Sequence, residues 1–358
     1  MPTSLVSPVT VAPIVSLALC WVAVRVLRVL MPHWGFVDVP NERSSHRRPT
    51  PRAGGLAFAT ISPIGALVAW HWMGVPISGE WLALLVGAWL VAATGLLDDR
   101  LGLPVLVRFG VYSVAAVVFV VGGGYLTELQ WPGLPPLSLG WLGPFVTLIW
   151  LVGLTNAYNF MDGIDGIAGA QAVVAAGTVG LLASLAGDGQ LAILTASLAG
   201  GVLGFVLHNW PPARIFMGDV GSAFLGYCFA GLAVLSGRSG GSFPFAIWLI
   251  LLAPFLFDTG LTLVVRVIRG EPWYRPHRQH LYQRLIRRGW SHLAVTSVYL
   301  GADLFLAGVA AAHSILFVDG VLLALLTSAP LAAIFGLVWS VERWAAIAGF
   351  RSQDHLSA

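Results

Sequence analysis

Long apolar runs separated by short polar connections dominate the chain. About eleven of them approach the ~20 residues that a helix needs to cross the hydrocarbon core of a bilayer. They fall near 8–30, 54–74, 80–97, 109–126, 143–161, 166–186, 190–210, 220–237, 243–265, 293–315 and 320–341. The pattern predicts an all-α polytopic integral membrane protein with about eleven transmembrane helices, built as a single membrane-embedded domain over 1–358. It contains no separate soluble domain, no convincing internal repeat, and no Gly/Pro-broken midplane helices of the kind transporters use. One stretch differs: Leu281, Leu285 and Ile286 recur at helical spacing among Arg278, Arg284, Arg287 and Arg288, after Pro276 and before Gly289. That spacing predicts a short amphipathic helix lying on the membrane surface.

Composition agrees with the pattern, since 57% of the 358 residues are hydrophobic and only 10% charged, outside the range of a soluble domain. All nineteen basic side chains are arginine. Eighteen of them fall in one set of alternate loops, and only Arg238 falls in the other. By the positive-inside rule the amino terminus is outside, the carboxyl terminus is cytoplasmic, and the number of spans is odd. Membrane-surface arginines account for the basic balance, so no nucleic-acid partner is expected. Cys20 and Cys228 both lie inside apolar runs, which excludes a disulfide framework and a thiolate zinc site. The first run lacks a basic flank and exceeds an h-region, so it is read as a retained span.

Sorting the polar residues by side sharpens the reading. The outer connections carry little chemistry. The dense clusters fall in five cytoplasmic loops, at 32–53, 98–108, 162–165, 211–222 and 266–292, which predicts a cytoplasmic active face. Asp98 and Asp99 end a span; adjacent helical residues point about 100° apart, so the two carboxylates take different roles, or else form a solvated helix end with Arg100. Asn156, Asn159 and Asp162 recur every third residue, and Gly163 allows Asp165 to turn back toward them. Hard oxygen donors of this kind suit Mg²⁺ or Mn²⁺ completed by substrate phosphates; polar glue between helices is the alternative. Asp219 is expected to cap the next helix, with Gly218 and Gly221 opening backbone N–H groups to a phosphate. His277, Arg278 and His280 suit phosphate or sugar contact better than zinc. The first loop, with Ser45, His46, Arg52 and the paired Gly54 and Gly55, exceeds what a topology signal requires and suits an anionic headgroup.

RSSHRRPTPRAGG, LLDDR, NAYNFMDGIDGIAG, FMGDVGS and HRQHLYQRL, in this order and on one side, resemble the polyprenyl-phosphate N-acetylhexosamine-1-phosphate transferases. The RSSH and HRxH patterns resemble the branch that initiates O-antigen or other surface polysaccharides. The resemblance implies a multi-pass enzyme of the bacterial cytoplasmic membrane, with undecaprenyl phosphate and a UDP-N-acetylamino sugar as partners and a homodimer left open. Sugar-1-phosphate would pass to the lipid and UMP would leave. It further implies Asn159 and Asp219 as metal ligands for Mg²⁺, or Mn²⁺, and Phe216 as the aromatic stacked on uracil. Asp162 and Asp165 fall around the nucleotide, and Asp98 and Asp99 form the catalytic pair. Arg108 falls where many relatives have lysine. A multispan transporter of an anionic nucleotide-sugar or lipid is the rival, and the crowding of charge on one face argues against it.

Overall fold

The computed structural model describes residues 8–40, 49–238, 240–272, 278–316 and 318–354, with side chains to 343. The chain is an all-α polytopic membrane protein. In order it forms α1 (Pro8–His33), a short antiparallel pair β1 (Val37–Asp38) and β2 (Thr50–Pro51), α2 (Leu56–Trp72), α3 (Gly79–Leu101) and α4 (Val105–Val121). A second pair, β3 (Glu128–Leu129) and β4 (Leu137–Ser138), precedes α5 (Gly143–Met161), α6 (Ile167–Ala186), α7 (Gly189–Asn209) and α8 (Asp219–Gly237). There follow α9 (Ala246–Leu251), α10 (Ala253–Ile268), α11 (Leu281–Arg287), α12 (His292–Leu316) and α13 (Gly320–Asp354).

Among the described residues, eight helices are long and apolar enough to cross a membrane: α1, α3, α5, α6, α7, α8, α12 and α13. α2 and α4 are apolar but span only 17 residues each. The run at 243–265, expected as one span, is instead broken into α9 and α10 at Leu252. Pro254 in the first turn of α10 explains the break, because proline starts a helix readily but cannot donate into a preceding one.

α8 forms the centre of the bundle, buried from Val220 to Gly237. Small residues bring its neighbours against it. A Cβ on Gly95 of α3 would lie 2.4 Å from the Asp219 carbonyl oxygen, and one on Gly226 would lie 2.8 Å from Tyr158 Cβ of α5. Close backbone approach is the means by which helices associate in lipid, where burial of apolar surface gives little drive. Three indole or phenol groups lock the contacts: Trp150 Nε1 donates to Ala230 O at 3.1 Å, Tyr227 Oη to Ala115 O at 2.8 Å, and Trp248 Nε1 to Ser236 Oγ at 2.8 Å. The amino-terminal end of α8 is thereby fixed beside the ends of α3 and α5.

Candidate functional site

α3 stops at Leu101, with Gly102 in the left-handed region at φ 65° and its N–H bonded to Asp98 O at 2.9 Å. The last turn carries Asp98 and Asp99 in two directions, as their adjacency predicts. Asp98 accepts from Leu103 N at 2.6 Å and from Arg108 Nη1 at 2.7 Å. The same Arg108 nitrogen reaches Asp219 Oδ2 at 3.2 Å, so one guanidinium draws together carboxylates from two helices 121 positions apart in sequence. Asp98 is 9% exposed and Asp219 27%, which makes Asp219 the more open to a ligand.

Asp99 turns the other way. Its two oxygens accept from Asp219 N at 3.0 Å and Val220 N at 3.2 Å. It is therefore the cap of α8, supplied from another helix, where a carboxylate satisfies orphan N–H groups and meets the positive end of the helix dipole. This corrects two expectations. Asp219 does not cap its own helix: the N-cap is Gly218, with no side-chain bond. The first N–H groups of α8 are also engaged by Asp99, so they do not wait for a phosphate. Gly218 is required by both sterics and backbone, since φ is 75° and a Cβ would stand 2.4 Å from Asp99 Oδ2.

From the end of α5, Asn159 Nδ2 donates to Ser222 Oγ at 2.9 Å, and its side chain also bonds the Asp219 carboxylate. Asn159 and Asp219 thus stand side by side. Asn156 does not join them; its amide bonds back to Val152 O at 2.7 Å. Asp162 forms the C-cap of α5, and its carboxylate has no hydrogen-bond or ion-pair partner among the described residues. Burial and then the neighbouring Asp99 charge push its carboxyl up to about 7, Arg52 pulls it down, and Asp165 adds to the rise. Asp165 is a clamp: it accepts from Ala213 N at 2.9 Å, lies 3.2 Å from His292 Nδ1, and its carbonyl accepts from Thr296 Oγ1 at 2.8 Å. Its carboxylate is engaged by the 211–217 loop and α12, not by Asn159.

The first loop meets this centre through its backbone. Phe216 N donates to Pro51 O at 2.8 Å, Gly54 N to Phe216 O at 2.9 Å, and Gly55 N to Met217 O at 2.9 Å. Gly55 is forced by contact, because a Cβ there would stand 2.4 Å from Gly221 Cα. The paired glycines thus have a packing cause, and they hold the backbone of Phe216 and Met217 against the first loop. Arg52 pairs with Asp38 at 3.6 Å, and its charge acts on both Asp99 and Asp162. Ser45, His46 and His277 lie outside the described residues.

α11, the expected amphipathic helix, turns its apolar face into the bundle. Leu281, Tyr282 and Leu285 are buried, and Arg284 Nε donates to Glu342 Oε1 of α13 at 2.7 Å. Its amino-terminal end is held by Asp258 of α10, which is fully buried. Asp258 accepts from Leu281 N at 2.9 Å, Tyr282 N at 3.3 Å and Tyr299 Oη at 2.6 Å, and lies 3.1 Å from His280 Nδ1. His280 is itself 3% exposed and completes a capping box with Gln283. Arg278, at the start of this segment, is half-buried, and its charge reaches the Tyr282 hydroxyl. Tyr282 Oη donates to Phe160 O at 2.9 Å, and a Cβ on Gly163 would collide with it at 2.0 Å. Gly163 is thus needed for close approach. Sequence reasoning missed Tyr282 and Tyr299; of the hub it singled out His280, for another role, and an aspartate inside an apolar run, Asp258, was the further signal.

Among the described residues no three His, Cys, Asp or Glu side chains stand grouped as a ready metal cage. The donors at the centre still fit a hard cation. They are carboxylate and carboxamide oxygens, with Asp162 unpartnered, and Mg²⁺ takes few protein oxygens while keeping water and substrate phosphates.

Comparison with known proteins places the chain in a family. The family model described as glycosyl transferase family 4 matches residues 81–237, from α3 through α8. A Bacillus subtilis protein named probable undecaprenyl-phosphate N-acetylglucosaminyl 1-phosphate transferase is 33% identical over 300 residues, covering 83% of each chain. A Mycolicibacterium smegmatis decaprenyl-phosphate N-acetylglucosaminephosphotransferase is 34% identical over 87% of this chain and 82% of its own length. A phospho-N-acetylmuramoyl-pentapeptide-transferase of Synechococcus is 35% identical over 72% of this chain and 77% of its own. With one-third identity sustained over most of the bundle and the family model spanning the helices that carry Asp98, Asn159 and Asp219, the chain belongs to glycosyl transferase family 4, among the polyprenyl-phosphate N-acetylhexosamine-1-phosphate transferases.

Proposed function

We propose that the protein transfers an N-acetylamino-sugar-1-phosphate from a UDP-sugar to undecaprenyl phosphate, as the first membrane step of a surface polysaccharide. The observation that carries this reading is the convergence of Asp98 and Asp219 on one Arg108 nitrogen beside Asn159 and the unpartnered Asp162. The names of the relatives support the substrate class. We place the centre on the cytoplasmic face of a bacterial inner-membrane protein of eleven spans with its amino terminus outside. The arginine asymmetry supports that orientation.

Phosphoryl transfer is governed by positioning and charge neutralisation more than by covalent chemistry. An oxygen of the lipid phosphate attacks the β-phosphorus of the UDP-sugar in line; the bond to the bridging oxygen breaks and UMP leaves. Asn159 and Asp219 would hold Mg²⁺, which supplies charge neutralisation on the pyrophosphate oxygens when bound. Arg108 offers a fixed guanidinium to the phosphates. Asp98 takes the proton of a monoprotonated lipid phosphate. Asp99 positions Asp219 by capping α8, its two oxygens accepting from the first N–H groups of that helix. Phe216 stacks on the uracil, and Asp162 lies toward the nucleotide.

The test is UMP release by purified protein given undecaprenyl phosphate and a panel of UDP-N-acetylamino sugars. We expect release with one donor, lost in EDTA and restored by Mg²⁺. Absence of UMP with every donor contradicts the proposal and favours a transporter.

A further inference from the structure

α1 and α7 lie against each other in a constant register. A Cβ on Gly200 would stand 2.1 Å from Pro13 O, and one on Gly204 2.5 Å from Leu17 O, so the two backbones touch. One four-residue step further, His208 Nε2 lies 3.2 Å from Trp21 O, with the two rings 5.8 Å apart. α7 ends at Asn209 on the next residue, whereas α1 continues to His33. Beyond Trp21, α1 has therefore lost this neighbour, and there it carries Arg25 and Arg28. Arg214 enters at the same level, its backbone N–H donating to His208 O at 2.9 Å.

The result is a notch with one sign of charge. The Arg25 guanidinium lies 4.8 Å over the Trp21 ring, and the charges of Arg28, Arg214 and Arg25 all act on the His208 ring. None of the three arginines pairs with a carboxylate among the described residues. His208 is 5% exposed, yet its Nδ1 has no partner. The outer face of α1 lines a shallow cavity of about 530 Å³ with Trp21, Val22, Arg25, Val26, Val29 and Leu30. A topology signal needs charge only at a helix end. Arg25 lies one turn beyond Trp21, at the level where α7 ends, and eight residues, about 12 Å, before the end of α1.

We propose that this notch binds the phosphate of an anionic membrane phospholipid. Arg25, Arg28 and Arg214 hold the headgroup, and an acyl chain lies along the valines of α1. Basic pockets between transmembrane helices suit such headgroups, and guanidinium groups suit phosphate. The site uses none of the side chains assigned to sugar-phosphate transfer.

The test is thermal unfolding of the purified protein in micelles titrated with phosphatidylglycerol, phosphatidylcholine or inorganic phosphate. Phosphatidylglycerol is expected to raise the midpoint saturably, and the other two to leave it unchanged. The Arg25→Gln/Arg28→Gln variant should need roughly 10- to 30-fold more phosphatidylglycerol for the same shift, with an unchanged midpoint in phosphatidylcholine. Equal shifts from both lipids, or an undiminished response in the variant, overturn the proposal. An equal shift from inorganic phosphate overturns the lipid assignment in favour of a free anion. Native mass spectrometry gives an independent reading: Trp21→Leu protein should lose bound phosphatidylglycerol, and full retention contradicts the notch.

Discussion

Two carboxylate centres lie on either side of the α5 terminus, and they are built on opposite principles. At the Asp258 hub, acceptor oxygens meet two backbone N–H groups, the Tyr299 hydroxyl and the His280 ring. At the Asp98–Asp219 centre one guanidinium nitrogen serves two carboxylates, and nearby Asp162 has no partner among the described residues. A satisfied carboxylate holds architecture in place and gains nothing from a ligand. An under-neutralised group of carboxylates is unfavourable until a cation or a substrate arrives, which is the usual condition of a working site.

The sharpest break in this comparison comes at the hub. Asp258→Ala should lower stability by about 3 kcal/mol or more, because it strands several buried donors at once. His280→Ala, removing one member, should cost about 1–3 kcal/mol. Thermal midpoints in detergent check both. A stability cost at His280 departs from the expectation from sequence, in which it lies on a surface helix and serves phosphate or sugar contact. A stable Asp258→Ala protein would remove the distinction between the two centres.

The smaller effect lies at Asp162. Its carboxyl is raised to about 7 from an ordinary value near 3.9, so the folded protein binds this proton more tightly than the unfolded chain. Below both values the group contributes no difference. As pH rises from about 4 to about 7 the unfolded chain releases the proton first, and stability falls. Asp162→Asn should flatten that decline in metal-free protein. A profile identical to the parent would place Asp162 outside the under-neutralised group.

Much of this was legible in the residues themselves. Continuous apolar runs mark helices because lipid leaves the backbone no other spanning form in an α-helical chain, and the adjacency of Asp98 and Asp99 already separated their roles. Which role fell to which depended on α8, 120 positions away, whose N–H groups claim Asp99. The Gly54–Gly55 pair read as part of a loop for an anionic headgroup, since close approach to Gly221 leaves the same glycine signature as close approach to a ligand. α11 read as a surface helix because its arginines recur on one face; Glu342, which pairs with one of them, lies 58 positions on. The break at Leu252 was masked by the unbroken hydropathy around Pro254.

The central claim is that the under-neutralised centre holds a cation and its phosphates. The most direct measurement is UMP release by Asp219→Asn protein at limiting and saturating Mg²⁺, with its thermal midpoint taken on the same preparation. Transfer should fall by about 10²-fold or more, most severely at limiting Mg²⁺, while the midpoint stays within a degree or two of the parent, on the order expected for a change outside the packed core. Near-normal release at limiting Mg²⁺, or loss that follows a collapsed midpoint, would contradict the account.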